Sequence, residues 1–268
     1  MSVAAASAPI GEMLRAWRRR RSLSQLELSL NAGVSSRHLS FLETGRSQPS
    51  REMVLHLAEE LEVPPRERNS MLLAAGFAPL YTERSLQEPQ MALVRQAIDR
   101  FLRAHEPYPA LVVDRNHDLL ASNDALQVLL DGVAPQLLAP PANALRIALH
   151  PTGIAPRTLN FGEWSAHLMQ RLQREMQMTA DPRLQALYEE LCAYPGVELA
   201  PPHGHFQAGE IVLPLRLRDG DGELAFFSTI STFGTAIDIT LEELSIEAFY
   251  PANAQTANRL LREIGAGR

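Results

Sequence analysis

Apolar residues in the first 62 positions recur at helical spacing, and single serines and glycines interrupt them at short intervals. Ser24, Ser35 and Ser50 each precede an apolar stretch, in the position where a hydroxyl caps the first turn of a helix. Gly33 and Gly45 end two of the stretches, where a left-handed residue commonly terminates a helix. Together with a fifth stretch that follows a double proline, the pattern predicts five short helices.

The pattern changes after residue 104. Apolar segments 110–114 and 118–122 flank Arg115-Asn116-His117, and segments 211–218 and 223–233 flank an Asp-Gly-Asp-Gly turn. Both arrangements are typical of antiparallel hairpins. Helical periodicity predicts further helices, at 90–104, 164–178, 182–193 and 256–264. A short apolar segment at 236–240 predicts one more strand.

These patterns predict an α+β protein of two domains, as expected for 268 residues. We place an all-α five-helix domain at 1–78, a connector with a linking helix at 79–104, and a second domain with an antiparallel sheet at 105–268.

The charge is divided in the same way. The chain has a formal net charge of −6, but residues 1–80 hold 10 Arg against 8 Glu, and residues 81–268 hold 15 Arg against 23 acids. Within 10–51 there are 8 Arg against 3 Glu, a balance of +5. A basic N-terminal part before an acidic remainder predicts two separate roles.

All 25 basic residues are Arg, and this absence of Lys excludes Schiff-base, Ser–Lys and phosphate-loop lysine chemistry. No Gly-x-Ser-x-Gly setting is present, so we predict no enzyme and no catalytic residues. Cys192 is the single cysteine, no apolar run approaches the ~20 residues of a membrane-spanning helix, and no signal peptide is evident. These features favour a cytoplasmic protein with no membrane partner.

The second and third predicted helices, joined at Gly33, form a helix-turn-helix pattern. Ser36, Arg37 and Ser40 lie on the face that would enter a DNA groove, with His38 and Phe41 beside it. An arginine here can pair bidentately with guanine. Two alternatives stay open: Phe41 contacts a thymine methyl or packs in the core, and the run of four arginines at 18–21 contacts phosphates or is a solvated helix end.

The string Leu23-Ser-Gln-Leu-Glu-Leu-Ser-x3-Gly-Val-Ser-x3-Leu-Ser-x-Leu-Glu-x-Gly-Arg46 closely resembles the Cro/repressor-like (XRE) family. The resemblance implies that the partner is operator DNA, that Gln25 binds a DNA phosphate and that Arg46 contacts the DNA backbone. It also implies that residues 36, 37 and 41 contact the bases. The complete predicted DNA-contact set is Gln25, Ser35, Ser36, Arg37, His38, Ser40, Phe41 and Arg46.

His203-Gly-His205-x4-Glu210 matches the His-x-His-x4-Glu metal motif of cupins. Two imidazoles and a carboxylate are suitable ligands for a transition metal. Cupins add a histidine from a later strand, and this chain has none after His205. We therefore predict no metal and no cofactor, and keep a helix-turn-helix regulator with a metal-binding cupin-like body as the alternative.

A second resemblance covers the remainder of the chain. His105-Glu-Pro-Tyr-Pro-Ala-Leu-Val-Val-Asp-Arg115, Asn123, Asn143-Ala-Leu-Arg146, Asn160-Phe and Ser228-Thr-Ile-Ser-Thr-Phe-Gly-Thr are similar to the MmyB-like ligand-binding domain. This resemblance implies a PAS-like antiparallel sheet flanked by helices, in a transcriptional regulator that binds a small apolar effector such as a fatty acid. Homodimerisation is expected as well, because one helix-turn-helix reads few base pairs.

Candidate ligand residues follow from the apolar strands and helices, although ordinary core packing or surface ion pairs would explain the same residue types. The apolar candidates are Trp164, Leu168, Phe226, Ile230, Phe233 and Ile237. Arg146, His150 and His167 are candidates for holding an acidic head group.

Overall fold

The computed structural model describes residues 9–200, 211–234 and 236–266 of the chain. Contacts between Cα atoms divide the protein into two compact units. The N-terminal unit is built on the chain up to Glu83, and the C-terminal unit on most of the chain from Arg84 onward.

The N-terminal unit contains five helices, as the periodicity predicts. They are α1 (Ile10–Arg20), α2 (Gln25–Asn31), α3 (Ser36–Glu43), α4 (Arg51–Glu60) and α5 (Pro65–Ala74). All three predicted serine caps are confirmed, because the hydroxyls of Ser24, Ser35 and Ser50 accept hydrogen bonds from the third residue of their helices. Gly33 and Gly45 have φ of +62° and +71°, which favours glycine at both helix ends.

One hydrophobic core holds these helices together. It includes fully buried leucines from three helices, Leu14, Leu28 and Leu42. Gly11 of α1 lies against the end of α3, where a Cβ atom would sit 2.5 Å from the carbonyl oxygen of Leu42. The absence of a side chain on Gly11 therefore lets α1 contact the C-terminal end of α3 closely.

The C-terminal unit combines a five-stranded sheet with helices. Its helices are α6 (Ala92–His105), α7 (Gln127–Leu130), α8 (Pro135–Leu138), α9 (Ala144–Leu149), α10 (Phe161–Thr179), α11 (Pro182–Cys192), α12 (Ile239–Glu242) and α13 (Ala254–Ala266), with 3₁₀ turns at Pro89–Met91, Asp124–Leu126 and Ala155–Arg157. Its strands are β1 (Ala110–Val113), β2 (Leu119–Ser122), β3 (Leu215–Asp219), β4 (Gly222–Thr232) and β5 (Ser245–Pro251).

The sheet is antiparallel throughout, in the order β2-β1-β5-β4-β3. Both predicted hairpins are present. The central strand β5 was not predicted: it pairs with β1 on one side, where Leu111 lies opposite Glu247, and with β4 on the other, where Ile230 lies opposite Glu247. The strand predicted at 236–240 is wrong, because this segment holds a single bridge residue, Asp238, and then enters α12.

The two faces of the sheet pack against different helices. Val112 of β1 and Ile246 of β5 face the buried side chains Ile98 and Leu102 of α6. The alternate residues Leu111, Val113, Glu247 and Phe249 therefore point to the opposite face. On that face the core consists of side chains from α9, α10 and α11 together with β3 and β4.

Candidate functional site

The outward surface of α3 presents a cluster of two cations and one aromatic ring. Arg37 and Arg46 are exposed, and Phe41 is half-buried. The guanidinium carbons lie 5.4 Å (Arg37) and 5.9 Å (Arg46) from the centre of the Phe41 ring, within cation–π range. The hydrophobic core of the described N-terminal residues does not include Phe41, so this side chain does not pack in that core.

The other predicted contact residues at α3 differ in their hydrogen bonds and in their exposure. The hydroxyl of Ser36 shares a 2.8 Å hydrogen bond with that of Ser29 on α2, and the hydroxyl of Ser35 is occupied in capping the amide of His38. Ser40 and His38 are half-buried. The helix-turn-helix joint is thus held by serine hydroxyls, while the two arginines remain available at its surface.

Gln25 is held in place by a hydrogen-bond network with buried residues. Its side-chain amide donates to Glu43 Oε2 at 2.8 Å, and Arg18 donates to both carboxylate oxygens of Glu43 at 2.6 and 2.8 Å. Hydrogen bonds from Arg18 and Gln25 offset the effect of burial and keep the pKa of Glu43 below its ordinary value. Arg21 donates to the carbonyls of Leu61 and Glu62 at the end of α4. Within the run 18–21, these two arginines therefore have structural partners.

The C-terminal unit contains a largely apolar cavity between the sheet and the helices above it. Its volume is about 70 Å³, room for several waters at roughly 10–15 Å³ each. The walls are formed by Leu111, Val113, His117, Leu119, Leu126, Leu129, Leu130, Ala144, Leu145, Ile147, Ala148, Ile154, Trp164, Leu168, Arg171, Leu215, Glu247 and Phe249.

Four titratable groups form a line at the polar end of the cavity. His117 Nε2 lies 2.7 Å from Glu175 Oε2, Arg171 Nε lies 3.3 Å from Glu175 Oε1, and Arg171 Nη1 lies 3.5 Å from Glu247 Oε1. Burial opposes the charge on Glu175, but hydrogen bonds from His117 and Arg171 prevail and lower its pKa. Because Glu175 is ionised at neutral pH, His117 Nε2 carries the proton in this bond.

The turn between β1 and β2 aims His117 at the cavity. His117 adopts a left-handed backbone (φ +62°), and Asp114 Oδ1 accepts from the amides of Asn116 and Asp118 on either side. Asn143 fixes the turn from outside, since its side-chain amide donates to the Asn116 carbonyl at 2.7 Å and to Asp118 at 2.9 Å. Asn143 also caps α9 through the amide of residue 146. One asparagine thus joins the turn to a helix of the cavity wall.

Other residues of the second resemblance have similar structural roles. The buried Asn123 accepts from the Ala110 amide and donates to the Tyr108 carbonyl. His105 bonds the Phe249 carbonyl at 2.8 Å, and the Glu106 carboxylate accepts from amides of the 3₁₀ turn that begins at 124. These side chains organise the sheet and its turns and do not line the cavity.

Of the nine predicted ligand residues, Trp164 and Leu168 line the cavity. The described structure places the other apolar candidates elsewhere: Phe226 is fully buried in the core, Phe233 packs on the α6 side of the sheet, and Ile230 and Ile237 are 46% and 85% exposed.

The polar candidates lie outside the cavity. Arg146 makes two 2.8 Å hydrogen bonds to Glu190, and His150 accepts from Thr152. His167 is exposed and stacks on Trp164, with ring centres 5.6 Å apart. In place of these three residues, His117, Arg171 and Glu247 reach the cavity wall.

A signal for part of this set was present in the sequence. Arg171 follows Trp164 by seven residues and Leu168 by three, so it falls on the apolar face of the helix, and Glu175 follows it by one more turn. A charged pair on an apolar helix face indicates a buried polar site. Glu247 had no such signal because its strand was not predicted.

The cupin-like residues His203, His205 and Glu210 lie outside the described residues. Among the residues that are described, no group of three or more His, Cys, Asp or Glu side chains is placed to hold a metal ion. Among the helices of the same residues, none is long and apolar enough to cross a membrane.

A capped helix-turn-helix with exposed arginines, followed by a unit with an apolar cavity, defines the class of ligand-responsive DNA-binding transcription regulators. Comparison with protein families agrees: a helix-turn-helix family matches residues 14–68, and the MmyB-like transcription regulator ligand binding domain matches residues 94–262. The chain belongs to this MmyB-like family, whose match covers more than half of its length. No curated protein matches the sequence.

Proposed function

We propose that α3 reads operator DNA through the cluster of Arg37, Phe41 and Arg46, and that the cavity of the C-terminal unit binds the effector. The observation that carries the first part is the exposure of two arginines that both lie within cation–π range of the half-buried Phe41 ring. A guanidinium that is stacked on a ring loses little freedom when it pairs with guanine, and the ring edge offers an apolar contact to a thymine methyl.

The test uses duplexes selected from a random library with the purified full-length protein. Arg37→Lys keeps the positive charge and removes the planar fork, so the proposal predicts relaxed preference at one base with a retained salt dependence. Arg37→Ala should weaken binding to the selected site by roughly 5- to 150-fold. Arg100→Ala, which removes one exposed positive charge from α6, is the matched control. Unchanged affinity and base preference in both Arg37 variants would refute the assignment.

The effector part of the proposal is supported by the composition of the cavity wall, which is apolar except for His117, Arg171 and Glu247. Such a wall suits a small, mainly apolar molecule that is oriented by a polar group at one end. A fatty acid is a candidate because its apolar chain would match the wall, and the three polar residues would decide whether its head group is accepted. Mass spectrometry of small molecules extracted from the purified protein tests this part, because a co-purifying apolar compound is the expected result.

The proposal includes a homodimer on DNA, since paired half-sites about 34 Å apart are the usual remedy for the small footprint of one recognition helix. Light scattering coupled to size exclusion, with the selected duplex present, should give the mass of two chains. A single chain on a fully bound duplex would contradict it.

A further inference from the structure

The polar residues of the cavity wall indicate which class of head group a bound ligand has. This inference rests on the proposed function of the cavity. The polar groups that reach the wall are His117, Arg171 and Glu247, and Glu175 supports them from behind.

The hydrogen bonds within the line are unevenly distributed. Both oxygens of Glu175 are engaged, one by His117 and one by Arg171. Glu247 receives only the long 3.5 Å contact from Arg171 Nη1, and no described residue donates to its Oε2. In the same described set, Arg171 Nη2 has no acceptor.

Glu247 is held on the cavity face by the sheet itself. It sits on the central strand β5 opposite Leu111 of β1, and its side chain is only 11% exposed. The rigid strand prevents the carboxylate from turning away to water. A ligand that enters the cavity therefore meets an acceptor of Glu247 beside a donor of Arg171.

We propose that the cavity selects an apolar effector with an uncharged head group, such as an alcohol or a primary amide, which donates to Glu247 and accepts from Arg171. A free carboxylate offers no proton to Glu247, and it would place a second negative charge beside a buried one. The cavity thus discriminates against ionised fatty acids by leaving the Glu247 acceptor unpaired when they bind.

Four probes of equal chain length test the inference on the full-length protein: 1-octanol, octanamide, octanoate and octylamine. Titration calorimetry at neutral pH should show octanol and octanamide binding roughly tenfold or more tightly than octanoate, the effect of an unpaired buried acceptor. Glu247→Gln removes the charge and adds an N–H donor, so octanoate should gain affinity and the preference should collapse. Glu190→Gln, which alters a surface partner of Arg146, should leave the order unchanged.

The possible outcomes test the head-group inference and the cavity proposal separately. Tightest binding of octanoate or octylamine to the wild type overturns the head-group inference and leaves the cavity as the ligand site. An alcohol preference that survives in Glu247→Gln overturns the role of Glu247. No binding of any probe overturns the cavity proposal itself. If Glu247→Gln unfolds, as judged by circular dichroism, the order of the four probes on the wild type still decides the head-group class.

Discussion

Removal of Glu43 should destabilise the N-terminal unit far more than removal of an exposed carboxylate in an equally short ion pair. The Glu43 side chain is 1% exposed and its partner Arg18 is 10% exposed. Glu43→Leu deletes two hydrogen bonds from Arg18 and one from Gln25, and leaves a buried guanidinium without its counter-charge. Breaking a buried pair in this way costs about 3–5 kcal/mol.

The matched control is Glu83→Gln in the same unit. Glu83 pairs with Arg66 at 2.5 Å, but its side chain is 53% exposed, so solvent screens the interaction. The expected cost is about 0–1 kcal/mol. Distance alone would rank the two pairs equally, and exposure is what separates them.

The assay is urea unfolding followed by the fluorescence of Trp17, which is buried in the core of the N-terminal unit, in a Trp164→Phe background so that a single tryptophan reports. At a slope of about 1–1.5 kcal/mol/M the midpoint of Glu43→Leu should fall by about 2 M or more. The double variant Arg18→Met with Glu43→Leu should recover most of the loss, because neither charge is then buried alone. A cost below about 1 kcal/mol for Glu43→Leu, or a double variant as unstable as the sum of its singles, would refute the reasoning.

Three further predictions test other parts of the structure. Phe41→Leu should weaken operator binding roughly 2- to 5-fold, because the ring contacts to Arg37 and Arg46 are worth about 0.5–1 kcal/mol at exposed sites; anisotropy of a labelled selected duplex measures it, and unchanged affinity would place the ring outside the interface. Asn143→Ala should lower the free energy of unfolding of the C-terminal unit by about 2–4 kcal/mol, as measured by circular dichroism during urea unfolding, since it removes a helix cap and two hydrogen bonds to the β1–β2 turn; a cost below about 1 kcal/mol counts against its anchoring role. The folded-state pKa of Glu43 lies below its ordinary value of 4.5, so its contribution is fully present above that value and is lost as the pH falls through the folded-state pKa; the difference in free energy of unfolding between the wild type and Glu43→Leu, measured by urea unfolding at several pH values, should therefore shrink as the pH falls, and a difference that grows toward low pH would contradict this sign.

Sequence reasoning succeeded where structure is local. The serine caps and terminal glycines of the N-terminal unit act between neighbouring residues, so the positions of Ser24, Ser35 and Gly33 specified helix starts and ends directly. Both hairpins were predictable for the same reason, because a turn and its flanking apolar segments are adjacent in the chain.

The polar end of the cavity depends on contacts between distant parts of the chain. His117 comes from a hairpin turn, Arg171 from a helix and Glu247 from the central strand, and only the folded sheet brings them together. Strand β5 lacks a flanking turn dipeptide and carries a glutamate in its middle, so its periodicity did not stand out. Arg146 and His150 were reasonable anion binders by residue type, but Arg146 has a carboxylate partner of its own in Glu190.

The central claim is that occupancy of the cavity changes the affinity of the N-terminal unit for DNA. The most direct measurement is the Kd for the selected duplex with and without a saturating cavity ligand, in the wild type and in Ala148→Leu, which adds three carbon atoms at the cavity wall. We expect the ligand to change the Kd of the wild type by roughly 5- to 150-fold, the usual range of allosteric coupling, and to have no effect on Ala148→Leu. A wild-type Kd that stays constant at full ligand occupancy would contradict the account.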